Sequence, residues 1–191
     1  MSMKRLFQRV TCCDGAEVAE LAVVLPILFT MIFAVFSFGR AYNIYSTITR
    51  AAQAGARVAT APLCASCGTN SCTFNGSSVT TSFPCDPTIT DVVNGTVSAA
   101  RLDSSQISYV TPSLTTDCQS GGQALCTQPS LPSGGTISVC RNVALNTNAN
   151  SSLKACGTIV SFQYNYQFLP VPFIRLNAIR IPAYAQVRME F

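Results

Sequence analysis

Gly15-Ala16-Glu17-Val18-Ala19-Glu20 stands directly before an uninterrupted apolar run at residues 21–38. As an α-helix this run would be about 27 Å long, close to the ~30 Å hydrocarbon thickness of a bilayer. A short basic head precedes it, with Lys4, Arg5 and Arg9. The sequence therefore predicts a helix that crosses a membrane once.

The small residues of this junction lie before the apolar run. In a secretory signal the small-residue cleavage site follows the apolar segment, whereas Gly15 and Ala16 precede it. A cut between them would free an amino group at Ala16 and would keep the apolar helix on the product. Glu20 would then be the fifth residue of that product. A carboxylate at this depth is costly unless it is paired, so Glu20 requires either a partner or a place in the headgroup layer.

This layout resembles that of type IV prepilins, which have a glycine before the cut, a glutamate at the fifth position of the product and an apolar helix. Four further features extend the resemblance: Pro26 six residues after Glu20, Gly39-Arg40 at the end of the apolar run, Ala51-Ala-Gln-Ala-Gly-Ala-Arg57, and Val187-Arg-Met-Glu190. Together they are similar to the TadE/TadF-like pseudopilins of tight-adherence (Flp, type IVb/IVc) pilus systems. The resemblance covers about residues 15–61 and the last ten residues.

The resemblance implies a minor pilin that is needed for assembly of a tight-adherence pilus and contributes to surface attachment and biofilm formation. Its implied partners are a prepilin peptidase that cuts between Gly15 and Ala16, other pilin-like subunits, and the assembly platform of the bacterial inner membrane. Glu20 would pair with the new amino group of Ala16, on its own chain or on a neighbour. The alternative is an uncleaved, membrane-tethered binding module outside the cytoplasm, with Glu20 in the headgroup layer.

Pro26 lies inside the apolar helix, where it removes one backbone hydrogen bond and favours a kink. Membrane helices tolerate this because neighbouring groups satisfy the freed carbonyl oxygen. Two interpretations of Pro26 stay open: a flexible point used when the subunit leaves the bilayer, or a tolerated kink.

The helical pattern continues beyond the apolar run. Small and apolar residues recur every three or four positions as far as residue 59, with polar residues on the opposite side. The resemblance implies a cleaved leader at residues 1–15 and a transmembrane helix at 16–38. The helical pattern predicts an amphipathic continuation of the same helix at 39–61 that ends near Pro62. The predicted apolar face of the continuation contains Ala41, Tyr45, Ile48, Ala52, Ala56 and Ala59.

Residues 62–191 are predicted to form one domain outside the cytoplasm. Residues 62–87 and 113–135 are rich in Ser, Thr, Gly and Pro and are predicted to be loops, and residues 91–102 are predicted to be a short helix capped by Thr90 or Asp91. Strands are predicted at residues 107–111, 137–142, 158–169 and 183–190, and the third alternates aromatic with polar residues. The predicted fold is a disulfide-rich, pilin-like α+β fold in which the long helix packs on a small antiparallel sheet.

Eight of the ten cysteines follow the apolar run, because Cys12 and Cys13 belong to the leader. An even number in a loop-rich domain is typical of an oxidising compartment and predicts disulfide bonds. This places the domain outside the cytoplasm, whereas the positive charges on the two sides of the apolar run are balanced and do not decide the orientation. The cysteines form two groups, each of which could pair within itself: Cys64, Cys67, Cys72 and Cys85, then Cys118, Cys126, Cys140 and Cys156.

A zinc site is the rival interpretation of these cysteines, since Cys64-Ala-Ser-Cys67 has the spacing of a metal knuckle. Such a site usually needs a second close pair, and Cys118 and Cys126 are too far apart to supply one. We therefore expect disulfide bonds and no metal ion.

The composition argues against catalysis and against nucleic-acid binding. The chain has no histidine, so no imidazole can serve as a base for a Ser or Cys nucleophile. Only 10% of the residues are charged, and part of the formal net charge of +4 belongs to the leader. This leaves too little positive charge for a nucleic-acid surface. We expect no enzyme, no cofactor and no small-molecule substrate, although a pair of carboxylates assembled by the fold would be a weaker alternative.

Overall fold

The computed structural model describes residues 14–61, 70–74, 77–81, 84–118, 123–146, 155–167 and 178–189. The chain divides into two compact units, with the boundary between Ala41 and Tyr42. The described residues confirm the predicted α+β fold. Its helices and strands are α1 (Asp14–Thr60), β1 (Asn70–Phe74), β2 (Ser77–Thr81), α2 (Asp86–Ala99), β3 (Ile107–Tyr109), β4 (Leu125–Thr127), β5 (Ser138–Ala144), β6 (Cys156–Tyr166) and β7 (Ile179–Arg188), with a short 3₁₀ helix at Ser104–Gln106.

Helix α1 contains 47 residues and ends at Thr60, close to the predicted end. The last turn of a helix leaves carbonyl oxygens without N–H donors from the helix itself. The Thr60 hydroxyl donates to the carbonyl oxygens of Ala56 and Arg57, at 3.2 and 3.1 Å, and the Ala61 N–H also donates to the Arg57 carbonyl at 3.0 Å. These bonds satisfy the end of the helix before Pro62.

Strand β6 lies at the centre of the larger sheet, in which every pairing is antiparallel. One edge of β6 pairs with β7. The other edge pairs with β5 as far as Ser161 and with β3 from Phe162 to Tyr164, and β4 pairs with β5. Because side chains alternate along a strand, β6 has two different faces. We call the face that contains Val160 and Phe162 the inner face, and the face that contains Ile159 and Ser161 the outer face.

The inner face of the sheet packs against α1 and α2. A Cβ atom added to Gly55 of α1 would lie 2.7 Å from Cγ2 of Val93 in α2 and 3.8 Å from Cγ1 of Val160 in β6. Val160, Phe162 and Val93 are all 0% exposed. The prediction that the long helix packs on an antiparallel sheet is therefore confirmed.

The buried face of α1 differs from its prediction at Ala41, which is only half-buried, and at one large residue, Tyr45. Tyr45 lies on the same side of the helix as Ala52 and Ala56, which are fully buried. It stays 48% exposed, because the elements that pack on this side of α1 do not reach it. Ile44 and Ala51 are buried in addition to the predicted residues. The buried face of α1 consists of Ile44, Ile48, Ala51, Ala52, Gly55, Ala56 and Ala59.

Part of the outer face is also covered, which contradicts the prediction that residues 113–135 form an exposed loop. Ala124, Cys140, Val143 and Ile159 form a buried cluster, and Leu114, Cys126 and Leu145 pack against it. Strand β4 lies in this segment, and its Cys126 stands directly opposite Cys140 of β5. Leu114 stands alone between polar residues, and Ala124, Leu125 and Cys126 form a run of only three, so no periodic pattern marks them in the sequence.

A β-bulge in β5 allows side chains of this strand to be buried on both faces of the sheet. Arg141 and Asn142 together oppose one residue of β6, because the register shifts between Cys140 and Val143. Asn142 has a positive φ of 55°, a conformation that asparagine tolerates better than most residues. Its side-chain amide donates to Asp117 Oδ2 at 3.1 Å. The extra residue returns Val143 to the face of Cys140, while Arg141 points to the inner face.

Arg141 pairs with Asp86 at the start of α2. The Arg141 Nη2 to Asp86 Oδ1 distance is 2.6 Å, and the two side chains are 7% and 12% exposed. Asp86 also lies in the first turn of α2, where a negative charge is favourable. This ion pair and the Cys72–Cys85 disulfide both hold the N-terminal end of α2.

Two predictions for residues 62–102 are wrong. Helix α2 begins at Asp86, with Cys85 at the N-cap position and no side-chain cap, so neither Thr90 nor Asp91 caps it. Pro87 in the first turn is the signal that marks this start. The predicted loop contains the hairpin of β1 and β2, whose short Ser- and Thr-rich strands carry no apolar alternation.

Candidate functional site

The N-terminal part of α1 exposes a continuous apolar surface. Every side chain at residues 18–36 is exposed, including Leu25, Phe29 and Phe33. Soluble proteins rarely expose large contiguous apolar patches, so such a surface indicates a membrane or a protein partner. Within the described residues, α1 is the one helix that is long and apolar enough to cross a membrane.

Glu20 stands at the start of this apolar surface. Ala16 and Glu20 are four residues apart in the same helix, so they lie on the same side, about 6 Å apart along the axis. The Gly15–Ala16 peptide bond lies in the first turn of α1. A free amino group at Ala16 would be within reach of the Glu20 carboxylate.

Pro26 lies in the first half of α1, inside the exposed apolar surface. Because proline has no N–H, it leaves the carbonyl oxygen of Ala22 without its usual helical donor. Four residues later the Thr30 hydroxyl donates to the Ile27 carbonyl oxygen at 2.8 Å, a bond that often accompanies helix bending. The backbone of α1 therefore lacks one helical hydrogen bond at Ala22, a few residues before the Thr30 contact.

The glycines of α1 have two different environments. A Cβ atom added to Gly39 would meet no atom within 4 Å, whereas one added to Gly55 would meet Val93 and Ile89. Gly55 is therefore required by the fold of the second unit. Packing within the chain does not explain Gly39, which presents bare backbone beside the apolar surface.

Three disulfide bonds confirm the prediction of bridges for six of the eight cysteines, and each lies within one of the two predicted groups. They join Cys72 to Cys85, Cys118 to Cys156 and Cys126 to Cys140. Cys64 and Cys67 lie outside the described residues. No group of three His, Cys, Asp or Glu side chains among the residues that the structure describes is arranged to hold a metal ion.

The candidate site is thus one helix segment that contains the predicted residues Gly15, Ala16, Glu20 and Pro26. The disulfide bonds lie outside this segment, in the second unit. A model of the TadE-like protein family matches residues 15–57. The N-terminal region of this chain is TadE-like. This TadE-like match begins at the glycine of the predicted cut and extends to Arg57, near the end of α1.

The TadE-like family belongs to the Tad pilus system and is structural rather than catalytic, so the match supports a pilus-associated protein with partners in that system. No curated protein and no solved structure shows a significant match to the chain. The match includes the part of α1 that belongs to the second unit but ends before the sheet, so it assigns no role to the sheet.

Proposed function

We propose that this protein is a minor pilin-like subunit of a tight-adherence pilus, matured by a prepilin peptidase that cuts between Gly15 and Ala16. The observation that carries the proposal is the position of Glu20. It is a carboxylate at the start of an exposed apolar helix, one helical turn after the proposed cut. The TadE-like match over the same segment supports this interpretation.

The first step is cleavage in the first turn of α1. A peptidase needs access to an extended peptide bond, so α1 must open at the Gly15–Ala16 bond. Gly15 lowers the cost of this opening, because glycine weakens helices relative to alanine. Cleavage removes the basic head and leaves the new amino group of Ala16 beside Glu20.

The second step is pairing of charges in the membrane. An isolated carboxylate or ammonium group in lipid is unfavourable, and the two become tolerable when they meet. The cleaved chain can satisfy Glu20 with its own Ala16 amino group or with that of a neighbouring subunit. Pairing between neighbours would set the axial register of adjacent helices, so register would depend on prior cleavage.

The third step is packing of α1 against other pilin-like subunits at the assembly platform of the inner membrane. The exposed apolar side chains provide the contact area, and Gly39 allows close approach of a neighbouring backbone. The weakly bonded backbone around Pro26 would allow α1 to bend as the subunit leaves the bilayer. The disulfide-bonded unit would lie outside the cytoplasm, where such bonds persist. The assembled pilus would contribute to surface attachment and biofilm formation.

The test is the intact mass and N-terminal sequence of the protein from membranes of cells with and without the prepilin peptidase. We expect a chain that begins at Ala16 only where the peptidase is present. A chain that retains residues 1–15 in both strains would contradict the proposal and would favour the uncleaved, membrane-tethered binding module.

Glu20→Gln tests the pairing step, and Glu17→Gln is its matched control, since it removes the other carboxylate near the cut, one residue after Ala16. We expect Glu20→Gln to lower incorporation into pili by about tenfold or more, because it removes one member of a buried charge pair. Glu17→Gln should leave incorporation unchanged. Equal effects of the two substitutions would contradict a specific role for Glu20.

A further inference from the structure

Strand β7 carries a row of exposed side chains on the outer face of the sheet. Ala183 and Ala185 are 2% and 5% exposed, whereas Arg180, Tyr184 and Arg188 are exposed. Because side chains alternate along a strand, these three residues share one face, with Pro182 and Gln186 between them. Along β7 this part of the outer face is open to solvent.

A groove with a volume of about 310 Å³ opens on this face, lined in part by Tyr184. This volume lies at the lower end of the range for ligand sites, about 300–1,000 Å³. The Ser161 hydroxyl donates to the Val110 carbonyl oxygen at 2.6 Å and holds the segment after β3 against β6. The groove lies between that segment and β7, and its lining includes Thr111, Pro112, Ser113, Ser161, Pro182 and Tyr184.

The lining of the groove combines an aromatic ring with neutral hydrogen-bonding groups. Tyr184 is 42% exposed, and its hydroxyl donates to Gln186 Oε1 at 3.2 Å. Burial raises the pKa of Tyr184, so the phenol is protonated at neutral pH and remains a donor. The hydroxyls of Thr111 and Ser113 add donors and acceptors. A pyranose ring matches these groups, because its C–H face packs on an aromatic ring while its hydroxyls form hydrogen bonds.

Among the described residues of β7, the charges on either side of the groove have one sign. Arg180 and Arg188 are each four residues from Tyr184, about 13 Å along the strand. Neither forms an ion pair with any residue that the structure describes. The described residues that share this face on β3 and β6 include Ser108, Gln163 and Asn165, and none of the described residues on the three strands carries a carboxylate. Guanidinium groups bind carboxylates with two parallel hydrogen bonds, so the face complements an acidic ligand.

We propose that this face binds an acidic polysaccharide, with one sugar ring in the groove against Tyr184 and carboxylates of flanking sugars on Arg180 and Arg188. The two arginines are about 26 Å apart along the strand. A single sugar cannot reach both, whereas a polymer can. Single-stranded nucleic acid is less suited, because its binding uses successive aromatic platforms and Tyr184 is the one aromatic residue on this row of β7.

The test measures binding of alginate oligomers, a polyuronate, to the full-length protein in a neutral detergent. Dextran is the uncharged sugar control, and polyglutamate is the polyanion without sugar rings. We expect binding of alginate, much weaker binding of either control, and weaker alginate binding at high salt because guanidinium–carboxylate contacts are screened.

Two sets of variants, each with its own control, distinguish the proposed site from nonspecific binding. Tyr184→Ala should weaken alginate binding by about tenfold, and Tyr109→Ala should not, although Tyr109 is similarly exposed, at 45% against 42%. Arg180→Gln and Arg188→Gln should each weaken binding and reduce its salt dependence, while Arg101→Gln removes an exposed charge elsewhere and should do neither.

Three results would overturn the proposal. They are the absence of alginate binding, equal binding of polyglutamate and alginate, and equal effects of Tyr184→Ala and Tyr109→Ala. A photo-crosslinker at Pro182 that captures a second copy of the chain, without competition by alginate, would instead assign the groove to a contact between subunits. All of these outcomes are independent of cleavage at Gly15 and of incorporation into pili.

Discussion

Gly55→Ala should destabilise the second unit, although alanine is the better helix former. The added Cβ atom would lie 2.7 Å from Cγ2 of Val93 and 3.5 Å from Cγ2 of Ile89. Carbon atoms that are not bonded prefer a separation of about 3.5–4.0 Å. Val93 and Ile89 are both 0% exposed, so neither side chain has free space into which it can move. The substitution therefore forces α1 and α2 apart or forces Val93 out of its rotamer.

The expected magnitude follows from two opposing effects. Overpacking of a buried contact costs about 1–3 kcal/mol, and replacing glycine by alanine inside a helix recovers about 1 kcal/mol. Because Val93 is enclosed, we expect a net loss of about 1–2 kcal/mol in the free energy of unfolding. Gly95→Ala in α2 is the matched control, since no atom lies within 4 Å of its added methyl group. It should stabilise the unit by about 1 kcal/mol.

The assay is thermal unfolding of the full-length protein in a neutral detergent, followed by near-ultraviolet circular dichroism of the tyrosines. The chain contains no tryptophan, and this signal reports the packing of the second unit rather than the helicity of α1. The unfolding midpoints of the two variants should differ by about 4–12 °C. Val93→Ala should recover part of the loss in the Gly55→Ala background, because it removes the methyl group that is contacted. An equal rise of the midpoint in both glycine variants would refute the contact of α1 with α2.

Three further predictions concern the second unit. Arg141→Met should lower the free energy of unfolding, measured by chemical denaturation, by about 3–5 kcal/mol, because Asp86 then loses its buried partner. Adding Asp86→Leu should recover most of this loss. Replacing Cys118 and Cys156 by serine should cost about 4 kcal/mol in the same assay, since that bridge spans a sequence separation of 38 residues. Burial raises the pKa of Tyr184 above its ordinary value of 10.0, so the folded state favours the protonated phenol. The resulting stabilisation is complete below pH 10.0 and is lost as the pH rises through the higher folded-state pKa. Tyr184→Phe should remove this part of the pH dependence, measured as the free energy of unfolding across this pH range.

Most of the helices and strands that the sequence predicted carry a periodic pattern. The alternation of Phe162, Tyr164 and Tyr166 with polar residues predicts β6, and all three are buried in the structure. The end of α1 before Pro62 follows from the missing N–H of proline. These features depend on residues that are close in the sequence, so they can be predicted without knowledge of the fold.

The features that the sequence did not reveal depend on distant residues. The hairpin of β1 and β2 has no apolar alternation, and its Cys72 is bridged to Cys85 at the start of α2. The ion pair between Arg141 and Asp86 joins residues far apart in the chain and requires the bulge at Asn142. The exposure of Tyr45 likewise depends on where the elements that cover α1 end. No local pattern encodes any of these contacts.

The candidate assembly segment could be predicted almost entirely from the sequence. Its residues, from Gly15 to Gly39, lie in one helix whose geometry fixes their separations, so the sequence itself determined that Glu20 lies one turn from Ala16. Only the tertiary structure decided which cysteines pair and that Arg180, Tyr184 and Arg188 border a groove. Disulfide pairing and a groove both require segments distant in the chain to meet, and that meeting is set by the packing of α1, α2 and the sheet.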